Sequence, residues 1–279
     1  MTSQPGKPRL LIIGSDASHA MSPALWSPVL TELETGWTYE PLDVPADSDM
    51  RPLRQHLLDT SVIAANVTMP HKQWAAQTAD AASESVKRSG ASNLLIPLQG
   101  QLQAHNTDID AFIALTPKMR QQHTLILGAG GAARASIAAL TGLTEQLTLT
   151  DLDPQVADRL ARHATSLGIP TQAIPWNDIP RITPEVSMII NATPIGKLQT
   201  DPPAWGDAEI SPGTFIYDYV YADHETTTIV AARENALPYR DGWDHLLGQA
   251  VAMIPLLGLQ PHATNLLQTT LTTIRSKKP

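Results

Sequence analysis

The chain has 279 residues, of which 42% are hydrophobic and 16% are charged, with 19 Lys and Arg against 27 Asp and Glu. This apolar fraction suffices for one large core or two moderate ones and excludes a mainly disordered chain. The absence of cysteine excludes disulfide scaffolds, thiolate metal sites and thiol nucleophiles. The net charge of −8 argues against nucleic acid or an anionic membrane as a partner.

The apolar segments are too short for a signal-peptide core or a membrane span. The first, 10–13, ends at Gly14, and a later one, 250–259, is interrupted by Pro255. We therefore expect a cytoplasmic protein with no membrane partner. We further expect a monomer or a homodimer without a metal site.

Short β-branched and leucine-rich runs alternate with longer Ala- and Leu-rich stretches, which predicts an α/β fold with mainly parallel pairing. The N-terminal part has predicted strands at 9–13, 38–43 and 62–67, helices at 23–35 and 50–58, and a hairpin of 92–97 with 101–104. The later part has predicted strands at 124–127, 147–151, 171–174, 186–190 and 215–219, and helices at 131–141 and 154–167. We interpret 199–212 as an irregular loop and 243–274 as one or two helices that return to the first domain. The first domain boundary is expected between Asn106 and Gln121.

The segment 124–134 (TLILGAGGAAR) carries a dinucleotide-binding pattern. Gly128, Gly130 and Ala133 occupy the G-x-G-x-x-G/A positions directly after a predicted strand and at the start of an Ala-rich helix. The first glycine permits a tight turn, the second permits close approach of a pyrophosphate, and the helix N-terminus favours its negative charge. Asp151 ends the next predicted strand, where an acidic side chain meets the adenosine ribose.

The acidic residue at this strand end also bears on the choice of cofactor. The Asp151 carboxylate can accept hydrogen bonds from both ribose hydroxyls but would repel a 2′-phosphate, and Leu152 follows it rather than a cation. Arg159 and Arg162 lie farther along the predicted helix. The sequence therefore favours NAD over NADP.

Three polar clusters follow predicted strands of the N-terminal part, where open α/β sheets bind ligands. They are 14–23 (GSDASHAMSP), 66–72 (NVTMPHK) and 105–108 (HNTD). Each also has an ordinary explanation, because Ser22 and Pro23 fit a helix N-cap and first turn, Lys72 fits a solvated cation, and Asn, Thr and Asp are common in turns. Spacing alone assigns none of them to catalysis.

Taken together, these segments resemble the shikimate dehydrogenase family. Seven elements match in order along nearly the whole chain: 19–23, 66–72, 106–108, 128–132, 191–196, 218–221 and 242–249. The resemblance implies two α/β domains with a cleft between them. Residues 1–107, completed by the C-terminal helices 243–279, would form the substrate-binding domain, and 108–242 would form a Rossmann-type NAD(P)-binding domain.

The resemblance also implies roles for individual residues in reversible hydride transfer between a nicotinamide cofactor and shikimate, quinate or a close analogue. Lys72 and Asp108 would be the catalytic pair, since hydride transfer needs a group that supplies and removes the hydroxyl proton. Contacts to the small polyhydroxylated cyclic acid would come from Ser22, Thr68, Asn93, Asp108, Tyr221 and Gln249. The cofactor would contact Gly128, Ala129, Gly130, Gly131, Ala132, Asp151, Asn191, Ala192, Thr193 and Gly242.

Several positions depart from the family pattern. Ala20 replaces a serine of the first element, and Leu94 replaces the threonine that usually follows Asn93. The segment 151–153 (DLD) replaces the Asn-Arg-Thr typical of NADP-dependent members. Further departures are Ala104, Ala111, Val156, Lys197 and 222–224. These changes favour a catabolic or specialised member that uses NAD over the biosynthetic enzyme of aromatic amino acid synthesis.

Two alternative functions stay open. A non-catalytic dinucleotide-binding sensor would keep the glycine pattern without a proton-transfer group, although Lys72 and Asp108 argue against it. A methylenetetrahydrofolate dehydrogenase would share the two-domain layout, but the 106–108 element and Gln249 do not support it. Glutamyl-tRNA reductase needs a thiol nucleophile and a tRNA partner, which the cysteine count and acidic charge exclude.

Overall fold

The computed structural model describes residues 6–59, 61–116, 118 and 121–277. These residues form two six-stranded sheets with intervening helices, which confirms the α/β class, and they divide into two compact units. The first unit consists of the described part of Met1–Thr107 together with Gln249–Lys277, and the second of the described part of Asp108–Gly248. No described helix is both long and apolar enough to span a membrane.

The first unit begins with elements close to the predicted ones. They are β1 (Arg9–Gly14), α1 (Ser22–Glu32), β2 (Thr38–Asp43), α2 (Arg51–Leu57) and β3 (Val62–Val67). The chain continues through α3 (Lys72–Thr78), β4 (Ala81–Ala82), α4 (Glu84–Ser89), β5 (Leu94–Leu98) and β6 (Gln101–His105). Both α3 and α4 were absent from the prediction, because helices of six or seven residues show too little of the 3.6-residue period to stand out.

The first sheet has the strand order β2-β1-β3-β5-β6-β4 and is mixed. β1 pairs in parallel with β2 and β3, whereas β5 is antiparallel to both β3 and β6. The β5–β6 hairpin turns at Gln99 and Gly100, which both have positive φ, as a two-residue type I′ turn requires. The hairpin is thus confirmed, and it explains why the pairing here is not purely parallel.

The second unit alternates strands and helices with greater regularity. Its elements are α5 (Thr107–Leu115), β7 (Gln121–Leu127), α6 (Gly131–Leu140), β8 (Thr144–Thr150), α7 (Pro154–Ser166), β9 (Thr171–Ala173), α8 (Ile179–Ile182), β10 (Met188–Asn191), β11 (Phe215–Asp218), α9 (Thr227–Glu234) and β12 (Tyr239–Arg240). All its strand pairs are parallel, in the order β12-β11-β10-β7-β8-β9. Read from the β9 edge, this is the 3-2-1-4-5-6 order of a doubly wound dinucleotide-binding sheet.

The predicted start of one strand in this region is wrong. β7 begins at Gln121 rather than at Thr124, because the polar side chains of this stretch find partners inside the sheet, as His123 Nε2 does 2.8 Å from Thr148 Oγ1. The compact units divide between Thr107 and Asp108, inside the range 106–121 expected for the domain boundary. The same range contains α5, a helix that the sequence did not predict.

The C-terminal stretch forms two helices, α10 (Gly242–Leu256) and α11 (Ala263–Ser276), and α11 packs against α1 within the first unit. The compact units divide inside α10, between Gly248 and Gln249, whereas the sequence places the domain boundary at the start of this helix. A helix that continues across the division leaves no composition change to mark it.

Candidate cofactor and substrate residues

The glycine-rich turn connects β7 to α6. Gly128 has a φ of +91°, and a Cβ on it would lie 2.7 Å from the carbonyl oxygen of Ala192. Gly130 is the N-cap residue of α6, and a Cβ on it would meet no atom within 4 Å. The fold therefore requires glycine at 128 but not at 130. At the N-terminus of α6, where Gly131 and Ala132 follow, we expect the missing side chain of Gly130 to serve the predicted approach of a pyrophosphate rather than the fold.

Asp151 directly follows β8 and is hydrogen-bonded to the glycine-rich turn. Its Oδ2 accepts from the Ala129 N–H at 2.8 Å, and its Oδ1 accepts from the Asp153 N–H at 3.0 Å. Asp153 in turn caps α7 by accepting from the Gln155 N–H at 2.9 Å. Sequence reasoning missed this structural task of Asp151. Each carboxylate oxygen can accept two hydrogen bonds, so the side chain retains capacity for ribose hydroxyls.

Asn191 ends β10, and its side-chain amide is used within the protein. Its Nδ2 donates to the Ile195 carbonyl at 2.9 Å and to Asp218 Oδ1 at 2.8 Å. Its Oδ1 accepts from the Thr193 N–H at 3.1 Å and from the Thr193 hydroxyl at 2.6 Å. These four bonds use the two donors and two acceptor positions of an amide. Asn191 thus shapes the turn whose Ala192 and Thr193 lie against Gly128.

Asp218 is a fully buried carboxylate at the end of β11. It accepts hydrogen bonds from Asn191 Nδ2, from the Val220 N–H at 3.0 Å and from the Thr226 hydroxyl at 2.6 Å. Burial raises the pKa of Asp218 to about 6, and these hydrogen bonds partly oppose the rise. Since Thr226 caps α9, this carboxylate joins the ends of β10 and β11 to the start of that helix.

Gly242 is the first residue of α10 and lies against the backbone that follows β11. A Cβ on Gly242 would be 2.3 Å from the Val220 carbonyl oxygen and 2.7 Å from the Tyr221 nitrogen. This close approach explains the glycine without a ligand. The ring of Tyr221 lies 5.2 Å from that of Trp243, so two of the predicted site residues, Tyr221 and Gly242, are neighbours.

Ser22 is the first residue of α1 and is only 5% exposed. Met21 occupies the N-cap position, and no side chain caps the helix. The interpretation of Ser22 as a helix cap is therefore wrong. The Ser22 hydroxyl is thus not committed to capping α1, and its role in ligand binding stays a prediction.

Thr68 and Lys72 lie near the carboxyl ends of β1 and β3, which are parallel neighbours. The Thr68 N–H donates to the Ile13 carbonyl at 2.8 Å, and a Cβ on Gly14 would lie 2.3 Å from Thr68 Cγ2. Lys72 is partly buried as the first residue of α3, and its carbonyl accepts from the Ser92 N–H at 2.8 Å. The structure thus brings Thr68 and Lys72 to the edge at which open α/β sheets bind ligands.

Asn93 is nearly inaccessible and joins several strands of the first unit. Its Oδ1 accepts from the Thr107 N–H at 2.8 Å, and its Nδ2 donates to Thr107 Oγ1 at 2.9 Å. Asn66 Nδ2 donates to the Asn93 carbonyl at 3.2 Å, and Asn106 Nδ2 donates to that of Ala91 at 2.9 Å. The three asparagines therefore have structural tasks at the ends of β3, β5 and β6, which sequence reasoning treated as turn chemistry or ligand contacts.

Asp108 lies in the first turn of α5, in the second unit, and is 4% exposed. Its Oδ1 lies 3.2 Å from His245 Nε2, and His245 Nδ1 lies 2.7 Å from the Tyr217 hydroxyl. Neither His245 nor Tyr217 is among the residues predicted from the sequence. One signal was present, because His245 precedes the predicted substrate residue Gln249 by one turn of α10.

A metal-binding arrangement is not found among the residues that the structure describes, since no three of their His, Asp and Glu side chains are grouped to hold an ion.

The chain is similar to known proteins over most of its length. Residues 12–95 match the model described as the shikimate dehydrogenase substrate binding domain. A shikimate dehydrogenase (NADP(+)) of Maricaulis maris is 33% identical over 246 residues, which cover 86% of this chain and 86% of that relative.

Solved structures show the same architecture. Shikimate 5-dehydrogenase of Thermus thermophilus, in complex with NADP(H) and shikimate, has a TM-score of 0.76 at 25% identity and covers 94% of this chain and 99% of its own. Quinate dehydrogenase of Corynebacterium glutamicum, in complex with NAD, has a TM-score of 0.83 at 24% identity, with coverage of 95% and 99%. With its glycine-rich turn, its doubly wound sheet and these full-length likenesses, the chain belongs to the shikimate dehydrogenase family of oxidoreductases.

Proposed function

We propose that the chain oxidises a hydroxyl group of shikimate, quinate or a close analogue with a nicotinamide cofactor, and catalyses the reverse reduction. The observation that carries the proposal is Lys72, a partly buried residue at the kind of sheet edge where open α/β sheets bind ligands, in a chain of this family. The relative from Maricaulis maris is named a shikimate dehydrogenase (NADP(+)), and the Thermus thermophilus structure contains NADP(H) and shikimate.

The proposed chemistry assigns proton transfer to Lys72. A bound nicotinamide cofactor would take the hydride from the carbinol carbon of the substrate. The neutral amine of Lys72 would take the hydroxyl proton in the same direction, and the ammonium would return it during reduction. Asp108 would accept a hydrogen bond from the substrate hydroxyl and orient it toward Lys72.

Substrate recognition is proposed for five polar side chains. Ser22, Thr68, Asn93, Tyr221 and Gln249 would bind the hydroxyl and carboxylate groups of the acid. Ser22 is best supported, because α1 does not use its hydroxyl as a cap. Ala20 provides no hydroxyl near it, so we expect the carboxylate end of the substrate to be bound by fewer hydroxyl donors than in relatives with serine there.

The cofactor is proposed to be NAD, with its pyrophosphate at Gly128–Ala132 and its adenosine ribose at Asp151. A carboxylate repels the 2′-phosphate of NADP, and the Leu152 side chain that follows is 83% exposed and uncharged. NADP is the second candidate, because two arginines near each other could attract its 2′-phosphate. Burial lowers the pKa of Arg134, and the positive charge of nearby Arg159 lowers it further. These two cations stand on the helices that follow β7 and β8.

The domain assignment follows from these roles. We assign substrate binding to 1–107 with 243–279 and cofactor binding to 108–242. The partner is a small polyhydroxylated cyclic acid in the cytoplasm, and the protein acts as a monomer or a homodimer, without nucleic acid or membrane partners.

The decisive experiment crosses shikimate and quinate with NAD and NADP in initial-rate assays that follow the absorbance of the reduced nicotinamide. We expect turnover of at least one acid, with a higher kcat/KM for NAD than for NADP. Lys72→Ala should lower kcat by at least about 100-fold while the dissociation constant of NAD stays within about twofold.

Three other results would contradict the proposed function or the role of Lys72. NAD binding without turnover of any pairing would favour the sensor, and full activity of Lys72→Ala would refute the assignment of that lysine. Turnover of methylenetetrahydrofolate in place of the cyclic acids would identify the other two-domain dehydrogenase.

A further inference from the structure

We propose that His245 and Tyr217 are positioning residues that hold the Asp108 carboxylate in the orientation needed to receive the substrate hydroxyl. The inference rests on the proposed function, in which Asp108 contacts that hydroxyl. It adds a hydrogen-bonded chain, Tyr217–His245–Asp108, which we call the Asp108 support.

The Asp108 support joins three elements of the second unit. Tyr217 lies on β11, His245 in the first turns of α10 and Asp108 in the first turn of α5. Their exposed fractions are 0%, 7% and 4%, so the chain is shielded from water along its length. Hydrogen bonds that are shielded from water are electrostatically stronger than exposed ones, and a buried polar group that loses its partner destabilises the folded protein.

The partners fix which atom donates at each step. His245 Nε2 faces a carboxylate oxygen, which can only accept when ionised, so Nε2 must carry a hydrogen. Burial raises the pKa of Tyr217, and the neighbouring Tyr219 and Asp108 raise it further, so the phenol keeps its hydrogen. With a neutral imidazole, the Tyr217 hydroxyl donates to Nδ1 and Nε2–H donates to Asp108.

Ring packing holds the imidazole in place. The Tyr219 ring lies 4.4 Å from that of His245 at an interplanar angle of 62°, an edge-on arrangement that aromatic rings favour. Phe112, one turn after Asp108 on α5, packs 4.7 Å from the Tyr217 ring. The Tyr219 hydroxyl bonds to Ser136 at 2.8 Å and so lies outside the Asp108 support.

The consequence is a carboxylate whose Oδ1 is bound by His245. This hydrogen bond favours one orientation of the carboxyl plane, and removal of the donor would weaken that preference. We therefore expect the step that uses Asp108 to suffer, whereas the glycine-rich turn and Asp151 should bind cofactor as before.

The test compares four variants in the initial-rate assay. His245→Leu removes both nitrogens and should lower kcat/KM for the acid by about 10–100-fold, with the KM for NAD within about twofold. His245→Gln retains an N–H at the reach of Nε2 and should recover most of that loss. Tyr217→Phe should cost about 3–10-fold, since it removes one hydrogen bond. Tyr219→Phe is the matched control, because it removes a neighbouring tyrosine hydroxyl outside the support, and it should stay within about twofold.

Three outcomes would overturn the inference in an active enzyme: wild-type kinetics for His245→Leu, equal losses for His245→Leu and His245→Gln, or a rise in the NAD KM as large as the loss for the acid. A failure of the proposed function is recognised separately, by the absence of wild-type turnover or by wild-type rates of Asp108→Asn.

Nitrogen-15 NMR of the His245 ring tests the Asp108 support without a kinetic assay, because it shows which ring nitrogen carries a hydrogen. A hydrogen-bearing Nε2 is expected, and a bare Nε2 would refute the chain of donors.

Discussion

Three aspartates of the second unit show how surroundings assign different tasks to the same side chain. Asp151 is partly exposed and accepts two backbone N–H groups, which leaves it able to meet a ligand. Asp108 is buried, and its Oδ1 is hydrogen-bonded to His245 Nε2. Asp218 is fully buried and accepts three hydrogen bonds within the protein, so its role is structural: it joins the ends of β10 and β11 to the start of α9. Sequence position alone does not separate these tasks, because their partners are distant along the chain.

Asp218 should give the stability of the protein an unusual dependence on pH. Its pKa is about 6 in the folded chain and about 3.8 when unfolded, so the folded state binds the proton more tightly. Stability from this group is therefore gained as pH falls through 6 toward 4 and lost as pH rises, with a total on the order of 3 kcal/mol. Exposed carboxyls whose pKa is lowered by hydrogen bonds, such as Asp43 and Asp49, act in the opposite direction.

Urea unfolding of the wild type and of Asp218→Asn between pH 7 and pH 4 isolates this contribution, because the variant shares every other titrating group. The free energy of unfolding of the wild type minus that of the variant should increase as pH falls. A difference independent of pH would show that Asp218 does not titrate in this range.

Asp151 should control the choice between the two nicotinamide cofactors. Asp151→Asn removes the negative charge that repels a 2′-phosphate, and its amide oxygen can still accept one of the two backbone N–H groups. We expect the ratio of kcat/KM for NAD to that for NADP to fall by about 10–100-fold, which corresponds to about 1.4–2.8 kcal/mol. Asp153→Asn is the matched control, since it changes a nearby carboxylate that caps α7. A ratio unchanged in Asp151→Asn would remove the basis for NAD preference.

At the scale of elements, the sequence predicts best where the periodic pattern is long. Apart from the two-residue strands β4 and β12, which were not predicted, the strands of both sheets lie near their predicted positions, as do the helices α1, α2, α6 and α7. Residues 199–212 form neither helix nor strand, as expected. The short helices α3, α4, α5, α8 and α9 were not predicted. Lys72 and Asp108 could be singled out only by family resemblance, since a surface lysine and a turn aspartate are common. His245 was not predicted, because its one signal, a position one turn before Gln249, requires that α10 be known as a helix and Gln249 be taken as a substrate residue.

The glycine-rich turn allows the folding role and the ligand role of glycine to be separated. Gly128→Ala must place a Cβ 2.7 Å from a backbone oxygen at a φ of +91°, so it should destabilise the protein by about 2–4 kcal/mol even without cofactor. Gly130→Ala meets no atom, and its stability should stay within about 1 kcal/mol of the wild type. The same Gly130→Ala should weaken NAD binding by at least about tenfold, because its methyl group obstructs the pyrophosphate.

Urea unfolding together with NAD titration measures both effects on the same pair of variants. Loss of stability in both, or undiminished NAD affinity of Gly130→Ala, would contradict the assignment of Gly130 to the cofactor.

At the scale of the whole molecule, two compact units carry separate sheets and separate cores, which has a consequence for how a ligand stabilises the protein. The core of the first unit includes Leu11, Val67 and Leu95, and a core of the second includes Ile126, Leu149 and Ile190. Multi-domain chains depart from two-state unfolding when each unit can open by itself. A ligand that binds one unit then stabilises that unit first.

NAD at about 100 times its dissociation constant should therefore stabilise the unit that binds it by about 2.7 kcal/mol. Hydrogen exchange measured by mass spectrometry should show slower exchange in β7, β8 and β10, since their ends carry the glycine-rich turn, Asp151 and Asn191, and little change in β1 and β3. Gly130→Ala at the same NAD concentration is the control that should lose the protection. Equal protection of both sheets would mean that the units open only together, because a ligand of one would then slow exchange throughout the molecule.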